Sequence, residues 1–497
     1  MDAARIPVIV GVGQINDRSA DPFLGLDPLG LMEAAARLAD TDGGGGWLAR
    51  LDSVGVVDQL SFPELGAISA PLAQRLGASP RLCYQTKYPS GASPILLLNE
   101  AANRIAAGEI ESALVAGGEA LRTAAGRAAA KTGGAASDHN AMRAATQRRE
   151  LSYSQRYGLV APVDVYPLYE NAMRAAYGQT LAEAQRESAE IWARMSEVAA
   201  TNEHAWLRAP RSAQDILQAS ADNRPIAFPY TKLMVANGSV NQGAAFIVTS
   251  LAAARRHGIG EDRLVYVGFG AAADEPSSIL KRDRFDRSAS MEASLHGALR
   301  FNRLAVEDLD FIELYSCFPC VPKMARRIVG WPVERPATVF GGLTFGGGPI
   351  GNYMSHAVAS MVDRLRTGGT HGLLFANGGY VTQNHTILLT RDPLHAAHEA
   401  RSLDVQAEAD AARDPIPGVD VSYAGAARIE TYTTFYARDG RPRGGVIVAR
   451  TLKGARLLAK VPEDSAELIA FLTDGKAEPV GAAGQVMRVG DDAVWRM

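Results

Sequence analysis

Apolar and polar positions along this chain fall into two blocks that follow the same order. Val8-Ile9-Val10-Gly11-Val12-Gly13 is a continuous apolar run with two glycines, the pattern of a fully buried strand. It returns as Val265-Tyr266-Val267-Gly268-Phe269-Gly270, an offset of 257. Leu51-Asp52 opens an apolar run to Val57, and Leu309-Asp310 opens one to Tyr315, an offset of 258. Gly91 stands 27 residues ahead of Gly118, as Gly351 stands 27 ahead of Gly378. Three ordered anchors at nearly constant spacing predict a duplicated unit of strand, helix, strand, turn, helix and strand. Such alternation predicts a sheet with helices on its faces.

The third anchor gives the most local detail. Ser93 is a candidate N-cap with Pro94 at the first helical position, and Ile95, Leu98, Ala102 and Ile105 carry the helical spacing to Gly108. Ile110 to Val115 then form a strand that ends at Gly117-Gly118. In the second half a helix runs from about Asn352 through Val358, Met361 and Leu365 to Gly368-Gly369, followed by a strand from Gly372 to Ala376 ending at Gly378-Gly379. Each half therefore sets a turn before a helix N-terminus, where unpaired N–H groups favour negative charge.

Between about 126 and 225 the duplication is interrupted by an insertion that holds Tyr153, Tyr157, Tyr166 and Tyr169 and a long charged helix from about Leu181 to Asn202. An insertion so placed can cover a site. Beyond Arg391-Asp392-Pro393 comes an Ala-, Asp- and Arg-rich connector. The tail reads as strands Arg428–Arg438, Gly445–Thr451 and Leu457–Val461, with a hairpin at Asp439-Gly440 and a helix over Glu463–Asp474. These patterns divide the chain into an N-terminal half, 1–255, a C-terminal half, 256–397, a linker, 398–420, and a small β domain, 421–497, read as a barrel.

Composition narrows the function classes. A net charge of −3 and a pI near 6.3 leave no basic stripe for nucleic acid. No run approaches the ~18 apolar residues of a membrane span, and Met1-Asp2-Ala3-Ala4-Arg5 does not read as a secretory signal. Three cysteines, Cys83, Cys317 and Cys320, fit a reducing cytoplasm, and no metal site is expected. Cys317-Phe318-Pro319-Cys320 leaves a redox dithiol open as a rival reading. Gly346-x-Gly348-x-x-Gly351 matches a dinucleotide fingerprint only in part, since Pro349 interrupts it.

Several strings together resemble the thiolase superfamily over about residues 5–392: Ser90-Gly91, Gly117-Gly118-Glu119, the run from Ala236 to Ala245, Gly347-Gly348-Pro349-Ile350-Gly351 and Ala376-Asn377-Gly378-Gly379. The branch that this chain resembles is the sterol-carrier-protein type and its thiolase-like relatives, and the tail resembles their OB-like domain. The resemblance implies a duplicated, layered α/β fold, a coenzyme A thioester as substrate or ligand with no tightly bound cofactor, a place in lipid metabolism, and a homodimer. It also implies a thiolate nucleophile, a histidine to activate it and a second cysteine, because a thiolate exchanges readily with a thioester. Tyr88, Gly348 and Ala376 stand at those three positions, and Tyr315 stands for the Asn or His of a fourth loop.

Ordinary thiolase chemistry is thus not expected. The resemblance extends to thiolase-like retro-aldolases with a similar Tyr-x-x-Phe loop, which implies Tyr315 as a general acid/base on a β-hydroxyacyl-CoA, assisted by Tyr353 or His356. Ser90, Gly91, Ser239, Asn241, Asn377 and Gly378 are the candidate contacts to the CoA substrate. Buried structural roles for Tyr315, His356 and His385 are the alternatives. Three readings stay open: an acyl-CoA acyltransferase, a C–C lyase, and a non-catalytic CoA-binding or scaffold protein.

Overall fold

The computed structural model describes residues 2–132 and 151–497, so the part of the insertion from 133 to 150 lies outside the described residues. The first half supplies β1 (Pro7–Asn16), β2 (Ser53–Val56), β3 (Leu82–Gln85) and β4 (Ser112–Ala120). A short pair, β5 (Pro225–Ala227) and β6 (Tyr230–Thr231), precedes β7 (Asn241–Ser250). The second half supplies β8 (Val265–Asp274), β9 (Phe311–Leu314), β10 (His371–Gly378) and β11 (Gln383–Thr390). Nine of these strands form one sheet in the order β3-β2-β4-β7-β1-β8-β11-β10-β9.

The duplication is explicit in that order. Outward from the β1–β8 junction the sheet reads β1-β7-β4-β2-β3 on one side and β8-β11-β10-β9 on the other. The pairings run antiparallel, antiparallel, parallel on both sides. At the junction Val8 faces Tyr266 and Ile9 faces Val265 in antiparallel register, so the first strands of the two halves meet. A hydrogen-bond device is copied as well. Asp52 Oδ2 accepts from the backbone N–H of Glu111 and Ser112 at 2.7 and 3.3 Å, where β4 begins. Asp310 Oδ2 accepts from those of Thr370 and His371 at 2.6 and 3.1 Å, where β10 begins. The strands read as nearly continuous apolar runs because helices cover both faces of the sheet.

The helices Ser93–Ala107 and Tyr353–Thr367 occupy equivalent places in the two halves, and left-handed Gly108 ends the first as its sequence requires. Ala92 is the capping position, one residue earlier than Ser93, and Ser93 Oγ instead accepts from the Ser90 N–H at 3.3 Å. β4 does not end at Gly117-Gly118 but runs to Ala120. Those glycines mark close approach: a Cβ on Gly117 would lie 2.0 Å from Asn352 Oδ1, and one on Gly118 3.1 Å from Leu31 Cβ.

The tail closes into a barrel of β12 (Gly425–Tyr436), β13 (Pro442–Thr451), β14 (Arg456–Val461), β15 (Ala483–Val489) and β16 (Asp492–Arg496), with β12 paired to both β13 and β15. The hairpin turn falls at Gly440, φ 83°. β15 shows too little alternation to be read from sequence, with one buried residue in seven. The barrel docks on the insertion. Thr431 Oγ1 donates to the Leu168 carbonyl at 2.6 Å, and Asn171 Nδ2 to that of Tyr432 at 2.9 Å. Fully buried Arg456 pairs with Glu430 at 2.6 Å and donates to the carbonyls of Leu280 and Arg282 at 2.8 and 2.6 Å. In the connector, Val405 and Ala409 pack on Ala293 and Ala298 of the second half.

The sheet's two edges differ. The outer side of β9 is covered where the Leu314 N–H donates to the Ala337 carbonyl at 2.9 Å. The β3 edge is only four residues long and leaves Leu82 and Cys83 exposed. Among the described residues no helix is long and apolar enough to cross a membrane.

Candidate active site

The two helix-leading turns come together. A Cβ on Gly351 would lie 3.0 Å from Ser90 N and 3.1 Å from Pro89 Cα. One on Gly378 would lie 2.0 Å from Ser90 Oγ. One on Gly91 would lie 2.2 Å from the Asn377 carbonyl oxygen and 2.4 Å from the Tyr315 hydroxyl. Three loops of the second half thus converge on Pro89-Ser90-Gly91, and glycine is required wherever backbone meets backbone or hydroxyl. Neither helix begins with a side-chain cap, so the positive ends of both dipoles are left to whatever lies between them.

Strain marks the same loops. Ile350 and Val381 hold φ at 43° and 58°, in the left-handed region that β-branched residues avoid. Ile350 lies in the Gly347–Gly351 loop and Val381 follows the Ala376–Gly379 loop. Backbone strain of ~1–3 kcal/mol per residue persists only where the surroundings over-determine it, commonly at functional sites.

Tyr315 is buried, with its hydroxyl turned to Gly91 and its ring edge-on to Tyr353 at 5.8 Å. Burial first, then the neighbouring Cys317, pushes its phenol far above the ordinary value, so it is a neutral proton donor. Tyr353 is committed elsewhere: its hydroxyl donates to Glu313 Oε1 at 2.8 Å. Glu313 Oε2 accepts from Thr338 Oγ1 and the Val339 N–H, both at 2.8 Å, yet burial still pushes this carboxyl up to about 7. His356 lies deeper, stacked on Phe340 at 5.1 Å. Its Nδ1 meets Gln14 Oε1 at 2.9 Å, an acceptor, so Nδ1 carries the proton. Burial lowers its pKa to about 3, and the ring is neutral. The three tyrosine and histidine candidates therefore form one buried aromatic chain through Phe340, with Tyr315 alone reaching the turns.

The remaining candidates divide. Ser90 Oγ donates to Gln383 Oε1 at 2.6 Å, and Gln383 Nε2 donates to the half-exposed Tyr88 hydroxyl at 2.8 Å. An amide oxygen takes no proton, so nothing in this chain of bonds activates Ser90 as a nucleophile. Asn377 is held by Asn384 Oδ1 at 2.9 Å and by the Tyr166 hydroxyl at 3.1 Å. Asn241 is buried with its Oδ1 on the Thr123 N–H at 2.9 Å and its Nδ2 on the Asp17 carbonyl at 3.3 Å, away from the turns. Ser239 is half-buried, its N–H on Asn237 Oδ1 at 3.1 Å, and the Gly348 N–H donates to the Asn237 carbonyl at 2.8 Å. Ala376 is fully buried in β10. His385 accepts from Asn99 Nδ2 at 3.0 Å, and burial lowers its pKa to about 3.

Sequence patterns did not single out Gln383 and placed Tyr166 only among the tyrosines of the insertion. Tyr166 hydrogen-bonds the Gly379 carbonyl at 2.8 Å and stacks on Phe318 at 4.5 Å, so the insertion does cover the site. Its only signal was the tyrosine density of the insertion. The dithiol reading fails on electrostatics: Cys317 and Cys320 are free and buried, and burial pushes the Cys317 thiol up to about 12, opposite to an activated thiolate. A cavity of about 530 Å³ beside the barrel, bordered by Asp283, Arg284, Glu430 and Arg450, includes none of the loop residues.

A doubled sheet, two facing helix N-termini and converging glycine loops define a thiolase-type protein, here without a Cys-His-Cys set. The crystal structure of a monomeric SCP2-thiolase like protein type 1 from Mycobacterium smegmatis is similar at 31% identity over 100% of both chains, with a TM-score of 0.83. Residues 404–492 match the family described as thiolase-like protein type 1 additional C-terminal domain. The chain belongs to the thiolase superfamily, within its SCP2-thiolase-like type 1 group. Human mitochondrial 3-ketoacyl-CoA thiolase in complex with CoA shares the fold at 16% identity over 78% of this chain and 99% of that one, TM-score 0.60. So does an Ltp2-ChsH2(DUF35) aldolase, at 17% identity over 78% and 99%, TM-score 0.59. No curated protein matches.

The expected homodimer is overturned, because the type 1 relative is monomeric. The β3 edge gives the physical reason. Four residues offer few backbone hydrogen bonds to a second sheet, and the charged Arg81 stands at its start.

Proposed function

We propose that this chain acts on acyl-CoA thioesters by proton transfer through a neutral tyrosine, without a thiol nucleophile. The observation that carries this reading is the Tyr315 hydroxyl at the point where Gly91 meets the Asn377 loop, between two uncapped helix N-termini. Helix ends of that kind stabilise negative charge growing on a thioester carbonyl oxygen. The thiolase and aldolase folds among the relatives support the substrate class.

Of the reactions open to such a site, retro-aldol cleavage of a β-hydroxyacyl-CoA fits best. The bond between the α and β carbons breaks and its electron pair passes to the α carbon as an enolate. Tyr315 gives its proton to that carbon and receives the proton of the β-hydroxyl, which becomes a carbonyl. The products are a shortened acyl-CoA and an aldehyde or ketone, and the phenol is restored. Tyr353, bound to Glu313, positions the Tyr315 ring, and Ser90, Gly91, Asn377 and Gly378 shape the pocket. Unpaired cysteines suit a reducing cytoplasm.

A second reading, a CoA-binding protein without turnover, rests on how closely Ser90 packs against Gly378 and Gly351. A screen of acyl-CoA and β-hydroxyacyl-CoA substrates separates the two. Turnover is expected to fall ~10²-fold in Tyr315→Phe, the low end of general acid/base effects, with an unchanged thermal midpoint. Binding without turnover in the native protein favours the second reading; turnover indifferent to Tyr315→Phe refutes the tyrosine's role.

A further inference from the structure

At the far end of β10 from the active-site loop, His371, Asp392 and His395 offer one ligand atom each, all within 4.8 Å of one another. His371 and Gly378 are seven residues apart on one strand, roughly 23 Å at strand rise, so this cluster is separate from the site above. The rings of His371 and His395 stand perpendicular with centroids 4.9 Å apart, and Asp392 Oδ2 lies 3.7 Å from His395 Nε2.

The surroundings prepare these groups as ligands. His395 Nδ1 meets the Asn302 carbonyl at 2.9 Å, and a carbonyl only accepts, so Nδ1 bears the proton and Nε2 presents its lone pair. His371 Nδ1 meets Thr390 Oγ1 at 3.0 Å, a hydroxyl that can donate or accept, which fixes the ring's orientation and leaves Nε2 to face the cluster. Thr390 Oγ1 also accepts from the Asp392 N–H at 2.9 Å. Asp392 spends Oδ1 on the Leu394 N–H at 2.9 Å, which leaves Oδ2 facing His395. Asp392 and His395 side chains are 31% and 24% exposed, open enough for an ion and a water to enter.

The other half of the duplication is a control. His371 pairs with Thr390 in β10–β11 as Ser112 pairs with Thr249 in β4–β7. Two and five residues beyond the threonine stand Asp392 and His395 in one half, and Leu251 and Ala254 in the other. The fold is built without ligating side chains at these positions, so the second half's three are not a demand of the scaffold.

We infer that His371, Asp392 and His395 form a binding site for a divalent transition-metal ion of the zinc class. Two imidazoles and a carboxylate with room for water match that ion's ligand preference, and side-chain rotations bring the donors to bonding distance of ~2.0–2.2 Å. The ion clips the start of β10 to the connector that leads toward the C-terminal barrel.

Metal-stripped full-length protein should take up one Zn²⁺ per chain in equilibrium dialysis, gain a few degrees in thermal midpoint, and give a Co²⁺ visible spectrum of low-coordinate type. His371→Gln and His395→Gln should each lose the ion and the spectrum while keeping the metal-free thermal midpoint within a few degrees of the parent's. No stoichiometric uptake, or uptake indifferent to both substitutions, would overturn the inference and leave the cluster a packed pair of imidazoles beside a turn-capping aspartate.

Discussion

The two halves share strand order, pairing sense and the Asp52 and Asp310 strand caps, yet their polar groups are distributed very differently. By strand register, Glu313 and Tyr315 of the second half correspond to Gly55 and Val57 of the first. By helix position, Tyr353 and His356 correspond to Ser93 and Leu96. The second half therefore holds Glu313, both tyrosines and the histidine of this aromatic chain, and both strained β-branched residues. Glu119, a buried acid of the first half, instead accepts from the Leu60 and Ser61 N–H groups. The first half contributes the Pro89–Gly91 turn with its helix dipole, Gln14 on His356, and Tyr166 from its insertion. The scaffold is symmetric, and the candidate proton-transfer groups lie on one side of it.

Breaking the tie between the loaded half and the insertion should have the largest effect. Lys323 and Glu170 are both fully buried and paired at 2.5 Å, with Lys323 also donating to the Ala184 carbonyl and Ser188 Oγ at 3.1 and 3.2 Å. Lys323→Met leaves Glu170 uncompensated and should cost ~3–5 kcal/mol in denaturant unfolding. A loss under ~1 kcal/mol would mean that this pair adds little to the other ties of the insertion, such as Glu187 with Arg326 and Arg327.

The glycines of the two turns test whether the cradle is as closely closed on both sides. Gly91→Ala forces a methyl against a backbone oxygen and the Tyr315 hydroxyl and should destabilise by ~1–3 kcal/mol. Gly351→Ala meets its neighbours at 3.0 Å and beyond and should cost about a third as much. Equal costs would refute the idea that Tyr315 is pressed onto the first turn.

The pH-dependent effect concerns the buried Glu313. Glu313 has a folded pKa of about 7, above its unfolded value, so the native state holds the proton longer. Its contribution is complete at low pH and is lost as pH rises from the unfolded value through about 7. The stability difference between native protein and Glu313→Gln should therefore shift by ~1–3 kcal/mol against the native protein from pH 5 to pH 8. A difference independent of pH would show that the carboxyl stays ionised throughout.

Much of this arrangement was legible in sequence because glycine leaves a trace where backbones touch. Gly91, Gly351 and Gly378 gave away the convergent turns, and the repeated apolar runs gave away the sheet. Gly117 and Gly118 misled as strand ends, since close approach to a helix leaves the same trace as a turn. Pairings between residues distant in sequence had no local signature: Tyr353 on Glu313, Tyr166 on Asn377, and Gln383 between Ser90 and Tyr88 join residues 40 to 295 positions apart. The cluster of His371, Asp392 and His395 escaped for the same reason, its first member lying one strand away from the other two. The homodimer failed because edge length and exposure belong to the folded sheet and not to any motif.

The most direct test of the reading that this cradle receives a CoA thioester is calorimetric titration of acetyl-CoA into the native protein and into Tyr315→Phe. Saturable binding at one site per chain, retained in the variant, is the result expected from a scaffold whose helix ends hold the thioester while the phenol moves a proton. Absence of saturable heat in the native protein would contradict both the substrate class and the role given to the paired turns.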